Sequence, residues 1–264
     1  MPEVKPLKSG EGPTVRQPKA PFRALPGNSL HIGPSGSGKS LALIRCLIDS
    51  DKLGGMFDRF LILSPNVFVD PQYKTLIDYI EKTTRQKKED CCFEEFDQEA
   101  IKTLMEEQKK TNAYLRKIGA KRLMSACIVC DDFGERSDVM KAHGSVINSL
   151  FTRGRHVQCS TMLLIQRFRL ANPTLRFNSH VLFVHKLNSQ KDLEALAEEF
   201  SAITNGPDNF ETIYKRATAK RYGFLYITTG AEPRFFSSFD SEFKFSTSDP
   251  ENSVKTRARG RLSD

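Results

Sequence analysis

No stretch of the sequence approaches the roughly 18–20 consecutive apolar residues that a membrane-crossing helix needs, so a spanning segment is not expected. The first residues, MPEVKPLKSGEGPTVRQPKAPFRALPG, are polar and proline-rich and lack the apolar core of a signal peptide. Cysteine is sparse: Cys46, Cys91, Cys92, Cys127, Cys130 and Cys159 do not form the dense, regular framework of a secreted disulfide scaffold. Cys127 and Cys130 do spell C-x-x-C, but they lie in an apolar run that reads as a strand. Positions i and i+3 of a strand face opposite sides, which argues against a zinc or redox pair. There is no internal repeat. A soluble, intracellular protein in a reducing compartment is expected.

What the chain does have is length and positive charge. Its 264 residues are enough to bury the core of one domain, and its net charge of +8 favours polyanionic partners, nucleic acid ahead of a membrane surface. Residues 1–25 and 248–264 read as flexible basic tails around a domain at 26–247. In the second tail Lys255, Arg257, Arg259 and Arg261 stand on alternate residues, which suits phosphate contacts or simply solubility.

Between the tails, strands and helices alternate. Strands are expected at 29–32, 59–63, 126–130, 161–165 and 181–184. Helices are expected at 39–48 (Leu41, Leu43, Ile44 and Leu47 inward), 73–82, 192–200 and 210–217. Ser137 can cap a helix whose face is Val139, Met140, His143, Val146, Ile147, Leu150 and Phe151, with Gly154 ending it. Ser189 and Asp192 match a capping box. Residues 83–96 read as a loop and 99–118 as a charged helix with a narrow stripe of Ile101, Leu104, Met105, Leu115 and Ile118. Together, 83–122 reads as an insertion outside the central sheet. Two strands near 224–227 and 234–239 close the domain as a hairpin around Thr229-Gly230. The alternation implies an α/β domain with a mostly parallel sheet flanked by helices.

The chemistry starts at Gly33-Pro34-Ser35-Gly36-Ser37-Gly38-Lys39-Ser40, a full match to G-x-x-x-x-G-K-[ST]. Placed between a strand and a helix, the glycines let backbone N–H groups wrap a phosphate, and the helix start adds its dipole. Lys39 neutralises the β- and γ-phosphates, Ser40 ligates Mg²⁺, and the contact set extends to Leu41. The bound ligand is therefore expected to be ATP with Mg²⁺. Next, Cys127-Ile128-Val129-Cys130 delivers Asp131 and Asp132 to the tip of a buried strand, the Walker B arrangement. Asp131 is assigned to the metal and Asp132 to the attacking water. The alternative is a strand that merely ends in turn-forming acids.

Gln166 ends the strand at 161–165, where an amide can sense the γ-phosphate or simply stop a strand. Arg153, Arg155, Arg167, Arg169 and Arg176 flank it. Arginines so placed serve as fingers on a neighbour's phosphate, as DNA-phosphate contacts, or as ordinary surface groups. The aromatic run of Phe235, Phe236, Phe239, Phe243 and Phe245 reads as core rather than as a base-stacking surface.

With GPSGSGKS, CIVCDDF, LFTRGRHVQCSTMLLIQ and PTLRFNSHVLF in place, residues 27–228 resemble the virion DNA-packaging ATPases of large DNA viruses. These form the poxvirus-type branch of the FtsK–HerA superfamily, with relatives in virophages and Polinton-like elements. The resemblance implies a RecA-like P-loop NTPase fold in which the strand ending at Gln166 lies between those carrying Gly33 and Asp131. It implies a ring-forming, ATP-driven motor that threads double-stranded DNA into a preformed capsid. A capsid or portal-vertex partner and a place in the virion or virus factory are also implied. Carried across, Lys39 and Ser40 bind ATP–Mg²⁺, Asp131 binds metal, Asp132 activates water and Gln166 senses the γ-phosphate. Arg155 is the first choice for a trans-acting finger and Arg176 the second. Asp132 departs from the more usual Glu, a methylene shorter in reach. Two other readings share the P-loop: a nucleotide-gated assembly factor with little turnover, and a nucleoside kinase.

Overall fold

The computed structural model describes residues 12–133, 136, 140, 144–245 and the backbone of 254–258. Six parallel strands form its centre. The first, β1 (Ser29–Ile32), lies between β5 (Cys159–Ile165) and β6 (Val181–His185). Beyond β5 come β4 (Ala126–Cys130), β2 (Arg59–Leu63) and β3 (Cys92–Phe93). All five residues of β4 are buried, as are all seven of β5, which is what near-continuous apolar runs in a sheet covered on both faces produce. The strand ending at Gln166 thus does lie between those that carry Gly33 and Asp131.

Beyond β6 the sheet turns antiparallel through β7 (Phe224–Thr228), β8 (Arg234–Ser237) and β9 (Ser241–Phe245). The hairpin of β7 and β8 is the one read from the sequence. A tenth strand, β10 (Val254–Ala258), pairs with β9. The expectation of a wholly flexible tail from 248 onward is therefore corrected. The side chains of Lys255, Arg257, Arg259 and Arg261 lie outside the described residues, and so do Ser137, Val139 and His143.

Helices cover both faces. One face carries α1 (Lys39–Ile48) and α2 (Pro71–Thr84), then the single turn α3 (Lys88–Cys91). On it Leu43, Ile44 and Leu47 pack with Tyr73, Leu76 and Ile80 over Ile62, Cys127 and Val129. The other face carries α4 (Gln98–Lys117), α5 (Val146–Arg153), α6 (Pro173–Phe177), α7 (Gln190–Thr204) and α8 (Pro207–Ala217). There Ile147, Leu150, Leu196 and Phe210 pack with Ile128, Cys130 and Leu163. Cys127 and Cys130 face opposite cores, all six cysteines are free and buried, and no metal-binding cluster occurs among the described residues. Phe235, Phe236 and Phe243 are core residues, as expected.

Two boundaries differ from the sequence reading. The segment 83–122 is not wholly outside the sheet, because Cys92 and Phe93 (β3) pair in parallel with β2 and add an edge strand, while most of the rest is helical. A two-residue strand has no periodicity to read. In α4 the deeply buried positions include Gln108 and Asn112, whose amides hold the Met124 backbone just ahead of β4, while Ile118 is exposed. Polar groups buried for hydrogen bonding are invisible to an apolar count.

The amino-terminal segment is likewise not a free tail. The Gln17 side chain both donates to and accepts from the backbone of Leu25, at 2.7 and 2.8 Å. Val15 is buried, and Phe22 packs edge-on to Tyr226 and against Phe239. Phe22→Ala is accordingly expected to cost about 2 kcal/mol, below the range for a fully buried Phe because the ring is only partly covered. Urea unfolding should show a lower midpoint at an unchanged slope.

Candidate active site

The phosphate-binding loop leaves β1 at Gly33, whose N–H donates to the Ile165 carbonyl at the end of β5 (3.1 Å). Gly36 and Gly38 have φ of +75° and +94°, the left-handed conformations that need no Cβ. A Cβ on Gly33 would lie 2.7 Å from Ser37 Oγ and 2.8 Å from His185 Cβ, so the loop is packed tightly from below. Lys39 opens α1 and is buried. Its ammonium donates back to the Pro34 carbonyl at 3.1 Å, and burial lowers its pKa against the opposing pull of Asp131 and Asp132.

The strand order brings Asp131 across from this loop. Its Oδ2 accepts from Ser40 Oγ at 2.8 Å and from the Tyr73 hydroxyl at 2.6 Å. Burial pushes its carboxyl above the usual range, while the Tyr73 bond pulls the other way, ahead of those from Ser40 and Lys39. Tyr73, on the first turn of α2, was missed by the sequence reading, which gave its helix no site role. Its one signal was Asp70 before Pro71: Asp70 accepts from the Gln72 N–H and sets where the helix starts. Asp132 follows at φ +60°, a left-handed conformation uncommon for a non-glycine residue. It is exposed, accepts from Asn66 Nδ2 at 3.4 Å, and lines the same cleft as Ser35, Gly36, Lys39, Ser40 and Asp131.

The residues present fit a magnesium–triphosphate group. The loop offers a backbone cradle with a lysine, and a hydroxyl and a carboxylate meet at hydrogen-bond distance where a hard cation takes oxygen ligands. Ser37 Oγ is buried in the loop without a protein partner. Leu41 also lines the cleft.

The other expected residues are elsewhere. Gln166 borders a separate cleft with Pro34, Arg167, Leu187, Asn188 and Ser189, at the same sheet edge as the loop. Arg155 lies in the single 3₁₀ turn before β5, at the opposite edge from the loop of its own chain. Arg176 is engaged internally: Nη1 bonds Glu199 at 2.7 Å and the guanidinium lies 5.2 Å from the Phe168 ring centroid. Ser189 caps α7 through the Asp192 N–H, but Asp192 does not complete the expected box. It accepts instead from the Arg169 N–H at 3.1 Å, tying α7 to the turn after Gln166.

A doubly wound parallel sheet, a phosphate loop after β1 and an acid at the tip of β4 define a P-loop NTPase. Residues 18–227 match the family model described as Poxvirus A32 protein, and the chain belongs to that family. Among solved structures it is similar to the DNA-packaging ATPase B204 of Sulfolobus turreted icosahedral virus, at 16% identity over 79% of this chain and 96% of that one (TM-score 0.51). It is also similar to the genome packaging NTPase B204 of Sulfolobus turreted icosahedral virus 2 in complex with sulfate, at 13% identity over 79% and 95% (TM-score 0.51). These similarities establish the fold. No curated protein matches the chain.

Two titrations follow. His185, buried beneath the loop, has its pKa lowered to about 4 by burial first and by Lys39 second. Between pH 6.5 and 4 the unfolded chain therefore binds the proton that the native state refuses. Native stability should fall across that window, by roughly 3 kcal/mol from this group, and His185→Leu should flatten the pH dependence of the urea midpoint. Tyr73→Phe should cost about 1.5–3 kcal/mol at pH 7, the range for a bond to a charged group. The difference from wild type should shrink in acid, once Asp131 is protonated.

Proposed function

We propose that the protein is an ATPase that drives double-stranded DNA into a viral capsid. The observation that carries the reading is the Ser40–Asp131 contact, which joins the two halves of a hydrolytic phosphate site within a family of packaging ATPases. In this reading the loop amides and Lys39 hold the triphosphate and offset charge at the β- and γ-oxygens as the bond breaks. Ser40 and Asp131 hold Mg²⁺, which when bound neutralises β- and γ-phosphate charge. Tyr73 fixes which way the Asp131 carboxylate points. Asp132, exposed to the cleft, accepts hydrogen bonding from the attacking water and aims it. Gln166 reports phosphate state along the sheet edge to the Arg169–Asp192 link. Arg155, far from the loop of its own chain, acts on a neighbour's nucleotide in a ring. The net charge of +8 favours DNA.

ATP hydrolysis by the purified protein, with and without linear double-stranded DNA, tests this directly. DNA should raise the rate several-fold. Lys39→Ala should abolish turnover, and Asp132→Asn should bind ATP while losing at least about a hundredfold in rate, the scale of a general-base contribution. Undiminished turnover in Asp132→Asn would remove that residue from the mechanism. A low rate that DNA leaves unchanged, together with ATP-dependent DNA binding, would favour the assembly-factor reading.

A further inference from the structure

The turn ahead of β7 brings an aromatic side chain to the nucleotide cleft. Because β7 runs antiparallel to β6, with Phe224 opposite His185, its start lies at the edge of the sheet that carries the phosphate loop. Tyr222 sits in that turn at φ +60°, a left-handed conformation that a bulky residue rarely adopts. The next residue has to be glycine, since a Cβ on Gly223 would lie 2.6 Å from the Ala217 carbonyl oxygen. The Tyr222 ring packs on the phosphate loop itself: a Cβ on Gly38 would lie 2.9 Å from its Cδ1. Despite that contact the side chain is 44% exposed. The Arg221 guanidinium lies 4.8 Å from its ring centroid and donates to its hydroxyl at 3.0 Å.

Tyr222 lines the open cleft of about 260 Å³ that also holds Lys39, Ser40, Leu41 and Asp131. The other aromatic on that wall, Tyr73, is buried and committed to Asp131. The remaining walls are loop backbone and the polar side chains of Asn66, Asp70, Gln72 and Asp132. Phosphates held on the loop amides leave the nucleoside end of the ligand to find a surface within the same cleft. Tyr222 is the exposed aromatic surface of that cleft.

We propose that Tyr222 is the stacking platform for the base of the bound nucleotide, with Arg221 as a displaceable cationic cover over the same ring. The proposal rests on the reading of this cleft as a nucleoside triphosphate site. Stacking uses the π-face that every base has, so the platform binds purines without telling adenine from guanine.

The chain contains no tryptophan, so Tyr222→Trp introduces a single indole at the platform. ATP and GTP, with Mg²⁺, should both quench its fluorescence, and inorganic tripolyphosphate should not. By titration calorimetry Tyr222→Ala should weaken ATP about tenfold, within the range for losing one base–aromatic stack, and leave tripolyphosphate affinity unchanged. Tyr222→Phe should retain wild-type ATP affinity. Equal weakening of ATP and tripolyphosphate by Tyr222→Ala would show that the ring merely props Gly38, and would overturn the proposal. So would an unaltered ATP affinity in Tyr222→Ala. A wild-type protein that binds tripolyphosphate but gains nothing from the nucleoside would overturn the platform alone. One that binds neither would overturn the nucleotide reading with it.

Discussion

The bond from Ser40 to Asp131 is the constraint around which this molecule is arranged. It joins residues 91 apart in sequence, and it requires that β1 and β4 run parallel with β5 between them. A buried carboxylate is costly unless hydrogen bonds and positive charge compensate it. Asp131 has two hydroxyl donors and the Lys39 ammonium nearby, yet burial still raises its proton affinity. In the proposed reading a divalent cation on the carboxylate would relieve that residual cost, so the same burial that penalises the free site would favour the loaded one.

Two clefts open at the loop edge. One holds the acids, the lysine and Tyr222; the other holds Gln166, with Pro34 and the cap of α7. Asp192 links the second cleft to the turn beyond Gln166 through the Arg169 backbone. Asp192 is itself buried at the start of a 15-residue helix, so the turn after Gln166 is tied to the sheet's helical cover. The arginines separate along similar lines. Arg176 is tied up by Glu199 and Phe168 as part of the scaffold, whereas Arg155 is exposed at the far edge, a position with no use for the phosphate of its own chain.

Much of this was readable without coordinates, for identifiable reasons. Buried parallel strands require long apolar runs, so β4, β5 and β6 stood out. The phosphate loop is a local motif whose glycines, lysine and serine are contiguous, so its residues could be named outright. Reading failed where the signal was short or polar. The two residues of β3 carry no period. Gln108 and Asn112 are buried by their hydrogen bonds to Met124, against their composition. Residues 12–25 are composed like a tail but are held by the Gln17–Leu25 pair and by Phe22 against Tyr226 and Phe239.

The sequence by itself determined the phosphate loop, the acid pair, the strand–helix alternation and the family. Each of these is written in neighbouring residues whose spacing matches a local geometry. Only the tertiary structure decided that Tyr73 bonds Asp131, that Tyr222 lies on Gly38, that Arg176 is spent on Glu199 and that Gln166 opens on a second cleft. Those relations join positions far apart in the chain. Pairwise contacts between distant residues leave no local period or motif behind, and they exist only once the order and direction of the strands have set which side chains meet.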